Sequence, residues 1–443
     1  MAGHPTPFRF VHTADLHLDS PLKSLASRDA ALAEAVRTAS RKALARTVDL
    51  CLDEAVDALL IAGDLYDGSQ RSMHTAAALT REMKRLHEAS IPVCVIQGNH
   101  DARSHITREL ALPPNVLTFT GRGGTHLIGD GRAAVHGVSF SRPHAPESLL
   151  PKFPRPSPEC WNVGLLHTSL AGAEGHDAYA PCSLEELVGF GYDYWALGHV
   201  HRRRVHHDDA PAVVMPGNPQ GRDMGEDGAR SVTLATLADG APVALAEHVV
   251  GPARFERLVI DVGGVDDWQA LLRRLDDALV ERRGAIDVEH LIVRIELRGR
   301  SPLAWRIARD RDLIATLLGE TAEGLDGTWI EKVASEVASP DPASGGGDGT
   351  SVLGRLGALI DDELFASPEL RRQVDQDVAE FLKKLPKESR HLLGDDEATS
   401  ATRVEALLRE GSAELLMRIG GEGDEAERDA ADDALAEDDA ESR

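Results

Sequence analysis

The chain has 443 residues, which suggests two or three domains at about 150 residues each, and 42% of the residues are hydrophobic, enough for a sizeable core. The sequence has no apolar run of about 18 residues, no signal-peptide pattern at its start and no CxxC pair among its four cysteines. We therefore expect a cytoplasmic protein with no membrane span and no thiolate zinc site. The net charge of −25 argues against nucleic acid as a partner, although residues 421–443 alone carry 11 acidic residues against two arginines.

From residue 8 to about residue 250, short runs rich in Val, Ile and Leu alternate with helical segments such as 27–55 and 72–90. This alternation is typical of an α/β domain, and we place that domain at residues 1–250. A second, small α/β domain is predicted at residues 251–338. Its helical segment is 265–283, and its three strand-like runs are 254–262, 290–299 and 328–338.

The remainder of the chain has three different compositions. Residues 339–351 are rich in Gly, Ser and Pro and predict a flexible linker. Residues 352–419 are predicted to be mostly helical, and the segment SPELRRQVDQDVAEFLKKLP within them is amphipathic. Residues 420–443 form an acidic tail that we expect to be disordered.

Five apolar runs in the first 201 residues end in polar side chains of the kinds that bind metal ions. These side chains are Asp15, His17, Asp64, Asn99, His100, Asp101, His167, His199 and His201. Because ligand sites in open α/β sheets assemble at the carboxyl ends of the strands, we expect the side chains to meet at one edge. Glycines at positions 63, 98 and 198 would let the backbone turn sharply and approach an ion.

The predicted metal ligands are carboxylates, an amide and imidazoles, with no thiolate: Asp15, His17, Asp64, Asn99, His167, His199 and His201. Such a set suits hard-to-borderline divalent ions such as Mn²⁺. Seven ligands are too many for one ion but fit two ions about 3.5–4 Å apart, the spacing of two-metal phosphoesterases. We assign the shared bridge to Asp64, because a lone carboxylate after Gly63 can offer one oxygen to each ion. A water between the ions would lose a proton near neutral pH and attack phosphorus.

Asn99 and His100 are adjacent in the sequence IQGNHD but receive different roles. If Asn99 points at a metal ion, its neighbour points elsewhere, towards the substrate. A protonated His100 could stabilise phosphate oxygens and donate a proton to the leaving alkoxide, which contributes roughly 10²–10⁴-fold to a rate. Asp101 could hold that imidazole charged and oriented.

The order D-x-H, GD, GNHD, a lone His after an apolar strand, and GHxH resembles the calcineurin-like metallophosphoesterase superfamily over about residues 8–225. The resemblance implies a four-layer αββα sandwich with a di-metal centre. By the same pattern, Asp64 would be shared between two ions. One ion would be held by Asp15, His17, Asp64 and His201, and the other by Asp64, Asn99, His167 and His199.

The segments HTADLHLDSPL, GVSFS and MPGNPQGRDMGEDG resemble the SbcD-type DNA repair exonucleases, and more closely their YhaO-like bacterial branch. This implies a Mn²⁺-dependent DNA nuclease subunit, a homodimer, that is paired with an SMC-like coiled-coil ATPase. Residues 251–338 would then be a capping domain, and helices within 352–419 would dock the ATPase. The sequence Asp19-Ser20-Pro21 departs from the SbcD pattern and leaves the preferred DNA end open.

Three arginines are candidates for substrate binding. Arg202 and Arg203 directly follow the last predicted ligand and either contact nucleic-acid phosphates or lie in a solvated loop. Arg222 is in a turn-rich segment that we expect to lie near the site. Besides the nuclease, two functions stay open. One is a metallophosphatase or phosphodiesterase for a non-nucleic-acid substrate, and the other is a scaffold subunit with vestigial catalysis. The intact ligand set argues against the scaffold.

Overall fold

The computed structural model describes residues 7–20, 30–66, 73–101, 112–142, 145–170, 179–338, 356, 359–384, 401–405, 407–408, 411–412 and 415. The predicted linker at 339–351 and the predicted acidic tail at 420–443 lie outside these residues, as does part of the predicted helical region at 352–419.

The first of two six-stranded sheets contains strands from both ends of the N-terminal region. Its strands are β1 (Phe8–Thr13), β2 (Ala58–Ala62), β3 (Val93–Ile96), β4 (Val116–Thr118), β11 (Ser231–Leu237) and β12 (Ala244–Val249). Their order is β12-β11-β1-β2-β3-β4, with β1 to β4 parallel and β11 antiparallel to β1. Every residue of β2 and β3 is buried, which explains why these strands are continuous apolar runs.

The second sheet is also mixed. Its strands are β5 (Gly124–Ile128), β6 (Ala133–Gly137), β7 (Trp161–His167), β8 (Tyr194–Gly198), β9 (Arg204–His207) and β10 (Ala212–Met215). The order is β5-β6-β7-β8-β10-β9, and β6, β7, β8 and β10 are parallel. The antiparallel strands β5 and β9 form its two edges.

The two sheets pack face to face, and helices cover their outer faces. Side chains of both sheets, such as Leu60 and Val163, share the central core. Helices α1 (Ala30–Asp53) and α2 (Met73–Glu88) pack on the outer face of the first sheet, and α3 (Leu184–Val188) packs on that of the second. These four layers confirm the αββα sandwich expected from the sequence.

A three-stranded sheet follows, with the order β13 (Ala253–Asp261), β14 (His290–Arg300) and β15 (Thr328–Ala338). Its strands and the helix α4 (Trp268–Gly284) fall where the sequence predicts them. Two further helices, α5 (Ala304–Arg309) and α6 (Arg311–Glu323), lie in a stretch for which the sequence analysis made no prediction.

The chain forms two compact units. The first comprises Met1–Arg257, Arg283–Arg294 and Leu325–Glu331, and the second comprises Leu258–Arg282, Ile295–Gly324 and Lys332–Arg443. All the residues of the candidate site described below belong to the first unit.

Within the predicted helical region, a π-helical turn (Ile360–Leu364) precedes helix α7 (Pro368–Lys384). The apolar residues of α7 recur at helical spacing, yet none is buried, and Phe381 is 55% exposed. Among the described helices, none combines the length and hydropathy that a bilayer span requires.

Candidate metal centre

The polar residues that follow five strands lie together at one edge of the sandwich. The strands β1, β2 and β3 are parallel neighbours in one sheet, and β7 and β8 are parallel neighbours in the other, so their carboxyl ends form a common rim. Hydrogen bonds join the two rims. His167 Nδ1 lies 2.9 Å from the carbonyl oxygen of Ala62, and the amide of His199 donates to the carboxylate of Asp15 at 3.0 Å.

The backbone at these strand ends takes up a conformation that is rare for L-amino acids. The φ angle is 54° at Asp15, 39° at His17, 54° at Asp64 and 109° at His199. Residues in this region cost of order 1–3 kcal/mol each and persist only where surrounding structure enforces them. Here the amide of Asp15 donates to the carbonyl of Gly63 at 2.9 Å, and that of His17 to the carbonyl of Asp64 at 3.1 Å. Four predicted metal ligands are thus held in this conformation.

The first group of converging ligand atoms comes from Asp15, His17 and His201, which lie within 4.8 Å of one another. The Nε2 atoms of His17 and His201 are 3.1 Å apart. His17 Nδ1 is buried and has no hydrogen-bond partner among the described residues. Burial holds the pKa of His17 well below its ordinary value, so the ring stays neutral and offers a lone pair. Two imidazole nitrogens that face each other in this way suit a cation between them.

The second group comes from Asp15, Asp64 and His167. His167 Nδ1 faces a backbone carbonyl, so a neutral ring would carry its lone pair on Nε2, and this atom lies 3.0 Å from Asn99 Oδ1. Asp64 Oδ2 is 3.5 Å from His167 Nε2 and 3.9 Å from His17 Nε2. Asp64 is near a histidine of each group but belongs only to the second, whereas Asp15 belongs to both, so the bridge by Asp64 stays a prediction.

The two central carboxylates are almost completely buried. Burial raises the pKa of Asp15 above its ordinary value. Burial also opposes ionisation of Asp64, but the charge and hydrogen bond of His167 and the charges of His17 and His100 together lower the pKa of Asp64. In turn, burial would depress the pKa of His167, yet Asp64 raises it to about 9. Two carboxylates enclosed at this depth need positive charge nearby, which divalent cations would supply together with His167.

Gly98 gives these ligands the space they need. A Cβ atom at this position would lie 2.2 Å from Asp64 Oδ1 and 2.8 Å from His167 Cε1. At Gly63, whose φ is 96°, a Cβ would lie 2.6 Å from His167 Nδ1. At two of the three glycines that the sequence singles out, Gly63 and Gly98, a larger residue would therefore collide with ligand side chains.

His100 lies beside the first group. Its ring centroid is 5.0 Å from that of His17, and its amide donates to Asp64 Oδ1 at 3.0 Å. The fully buried Asp101 carboxylate accepts hydrogen bonds from the backbone amides of Leu65, Tyr66 and Gly98 at 3.1–3.2 Å. These bonds tie the loop after β3 to the loop after β2, so the described contacts of Asp101 organise backbone. Its predicted action on the His100 ring stays a prediction.

The remaining predicted ligand, His199, belongs to neither group of converging atoms among the described residues. Its ring packs 5.2 Å from that of His167 and 5.0 Å from that of Tyr179. Of the predicted substrate-binding arginines, Arg202 is exposed next to the site. Arg203 extends to Thr233 and lies 3.3 Å from Glu247. Their contact with substrate stays a prediction.

Arg222 contacts the site through a residue that the sequence analysis did not single out, Glu226. Arg222 Nη2 lies 3.0 Å from His201 Nδ1 and 2.7 Å from Glu226 Oε1. Glu226 Oε1 is in turn 2.7 Å from His201 Nδ1. The only sequence signal was position, since Glu226 falls in the same MPGNPQGRDMGEDG segment as Arg222.

The donor set, the facing Nε2 atoms of His17 and His201 and the enclosed carboxylates all fit a pair of divalent cations. An αββα sandwich that gathers such ligands at the carboxyl ends of its central strands defines a metal-dependent phosphoester hydrolase.

Residues 8–203 match the sequence profile of the calcineurin-like phosphoesterases, so the αββα domain is similar to this family. The family uses two divalent metal ions. Residues 255–338 match a second profile, described as the middle domain of the metallophosphoesterase YhaO.

Among curated proteins, the chain is 28% identical over 404 residues to the uncharacterized metallophosphoesterase YhaO of Bacillus subtilis, covering 88% of this chain and 97% of that one. It is 26% identical over 218 residues to the DNA double-strand break repair protein Mre11 of Sulfurisphaera tokodaii, covering 48% of this chain and 54% of that one. The chain thus spans about half the length of this archaeal relative. A solved dimetal phosphatase from Danio rerio covers 55% of the chain with a TM-score of 0.36 and 13% identity, which is too distant to bear on function.

Proposed function

We propose that this protein is a metal-dependent DNA nuclease that hydrolyses phosphodiester bonds with two divalent ions, of which Mn²⁺ is the expected metal. The observation that carries the proposal is the convergence of Asp15, His17, Asp64, His167 and His201 in two overlapping groups of ligand atoms. Similarity to an archaeal DNA double-strand break repair protein supports DNA as the substrate.

When bound, two divalent ions supply Lewis acidity that activates water and polarises the phosphoryl group. Asn99 and His167 would hold one side of the centre, and His17 and His201 the other, with Asp64 shared. His100 is only partly buried, and its ring centroid lies 5.0 Å from that of His17. From there its ring would stabilise the phosphate oxygens and donate a proton to the leaving alkoxide. The buried Asp101 fixes the loop that carries His100, because its carboxylate accepts from the amide of Gly98.

We further propose that the chain is a homodimer that assembles with an SMC-like coiled-coil ATPase. Helix α7 supports this, because none of its apolar residues is buried, and a partner helix would bury them. Residues 251–338 are proposed to cap the nuclease domain. The net charge of −25 implies that DNA is held by local arginines such as Arg202, or by the ATPase, rather than by a uniformly basic surface.

The test compares substrates that share a phosphodiester but differ in everything else. Purified protein with Mn²⁺ would be assayed on labelled duplex DNA, single-stranded DNA and bis(p-nitrophenyl) phosphate, with Asp64→Ala as the inactive control. We expect a higher kcat/KM on one of the DNA substrates. A preference for the small ester would refute the nuclease and favour a phosphodiesterase for a non-nucleic-acid substrate.

A further inference from the structure

One side of His201 faces the metal centre, and the other side faces a carboxylate. Its Nε2 lies 3.1 Å from His17 Nε2, while its Nδ1 lies 2.7 Å from Glu226 Oε1. A carboxylate can only accept, so this short contact requires a proton on Nδ1. The lone pair of a neutral ring is then on Nε2, the atom that faces His17.

Glu226 is held in place from several directions. Asn218 Nδ2 and the amide of Arg222 both donate to Glu226 Oε2 at 2.8 Å. Arg222 Nε and Nη2 donate to Oε1 at 3.1 and 2.7 Å. Only 12% of the Glu226 side chain is exposed, so these bonds are shielded from water. Arg222 is a donor only, and its 3.0 Å approach to His201 Nδ1 follows from the carboxylate oxygen that both share.

The backbone of His201 is fixed by the same network. Arg230 Nη1 donates to the carbonyl of His201 at 2.8 Å and to Asn218 Oδ1 at 2.9 Å. Asn218 therefore links Arg230 to Glu226, because its side chain accepts from Arg230 and donates to Glu226. His201 is held by its main chain and by its ring at once.

The turn that carries Glu226 is itself anchored. Asp223 caps the short 3-10 turn Met224–Glu226 through a 2.7 Å bond from the amide of Gly225. Met224 is buried against Phe255 and Ile292, and its carbonyl accepts from Arg257 at 2.8 Å. A side chain on such a turn has little freedom to move.

From this geometry we infer that Glu226 is a positioning residue for the metal centre, which fixes His201 in the tautomer that presents Nε2 to the ion. Carboxylates that orient ligating histidines in this way affect metal affinity by about 10–100-fold. The inference rests on the proposed function only in that His201 is taken to bind an ion. The same inference gives Arg222 a role, because its ion pair neutralises the charge of Glu226 beside His201.

The test needs a readout other than turnover, because loss of Glu226 would slow hydrolysis whether this residue positions His201 or only stabilises the fold. Mn²⁺ binding would be measured by isothermal titration calorimetry on wild type, Glu226→Gln and Glu226→Ala. Asp57→Asn is the matched control, since Asp57 is also a half-buried, arginine-paired carboxylate but precedes β2, at the opposite end from the metal centre. Circular dichroism would establish that each variant is folded at the temperature of the titration.

We expect Glu226→Ala to weaken one of two Mn²⁺ sites about 10–100-fold, Glu226→Gln to weaken it less because its amide oxygen can still accept from Nδ1, and Asp57→Asn to change neither. In the metal-free protein, ¹⁵N NMR of labelled histidines should show His201 protonated at Nδ1 in wild type and a mixture of tautomers in Glu226→Ala. His201→Gln would assign the signal.

Unchanged Mn²⁺ affinity of a folded Glu226→Ala variant, or an unchanged His201 tautomer, would overturn the inference. Failure of the wild-type protein to bind Mn²⁺ would instead overturn the proposed function. The tautomer measurement, made without metal, would still decide the role of Glu226 in that event.

Discussion

Replacing Gly98 by alanine should disable the metal centre while leaving the fold intact. The new Cβ would lie 2.2 Å from Asp64 Oδ1, and since ordinary contact begins at 3.4 Å, the carboxylate would have to move by about 1.2 Å. Overpacking of this kind costs about 1–3 kcal/mol, which is less than the free energy of unfolding of a typical domain, about 5–15 kcal/mol. A bridging ligand displaced by about 1 Å should lower Mn²⁺ affinity at least as much as loss of an outer-shell partner, about 10–100-fold.

The matched control is Gly319→Ala in helix α6, where an added Cβ meets nothing within 4 Å. Both variants gain one methyl group, but only Gly98→Ala places it against the ligands. Calorimetric titration with Mn²⁺ and thermal unfolding would be measured on both. If Gly98→Ala bound Mn²⁺ as tightly as Gly319→Ala, the packing of Asp64 against Gly98 would not control the metal centre, and the reasoning would be refuted.

Three further predictions address other parts of the site and the core. His100→Gln should lower kcat on the preferred DNA substrate about 10²–10⁴-fold with Mn²⁺ stoichiometry unchanged, and wild-type turnover would disprove its role as the acid. Asp64→Ala should lose both ions in metal analysis, and retention of both would exclude a bridge. Burial lowers the pKa of His12 to about 3, so the ring stays neutral in the native protein. In the unfolded chain the same ring takes up a proton below pH 6.5, its ordinary pKa. Between pH 6.5 and 4.5, wild type should therefore lose about 2 kcal/mol more unfolding free energy than His12→Gln in urea denaturation, and equal losses would contradict this.

The strand ends of the αββα domain could be predicted because both faces of the central strands are buried. Runs such as those of β2 and β3 are apolar at every position, so the first polar residue marks the end of the strand. Parallel neighbours then bring Asp64 and Asn99 to one rim, even though they are 35 positions apart in the sequence.

The outer layer of the site could not be predicted in this way. Glu226 reaches His201 because the 3-10 turn Met224–Glu226 is anchored by packing, and no sequence periodicity describes such a turn. The hydrogen bonds that Asp101 accepts from the backbone amides of Leu65, Tyr66 and Gly98 were likewise not predicted from the sequence. Contacts of this kind depend on how loops meet in three dimensions.

The central claim is that two cations bind where the five strands end. A crystal grown with Mn²⁺ and measured at the manganese absorption edge would test it most directly. The account predicts two anomalous peaks per chain, one on each side of the Asp64 carboxylate, with His17 and His201 at one peak and Asn99 and His167 at the other. Peaks elsewhere on the surface, with none among these side chains, would contradict it.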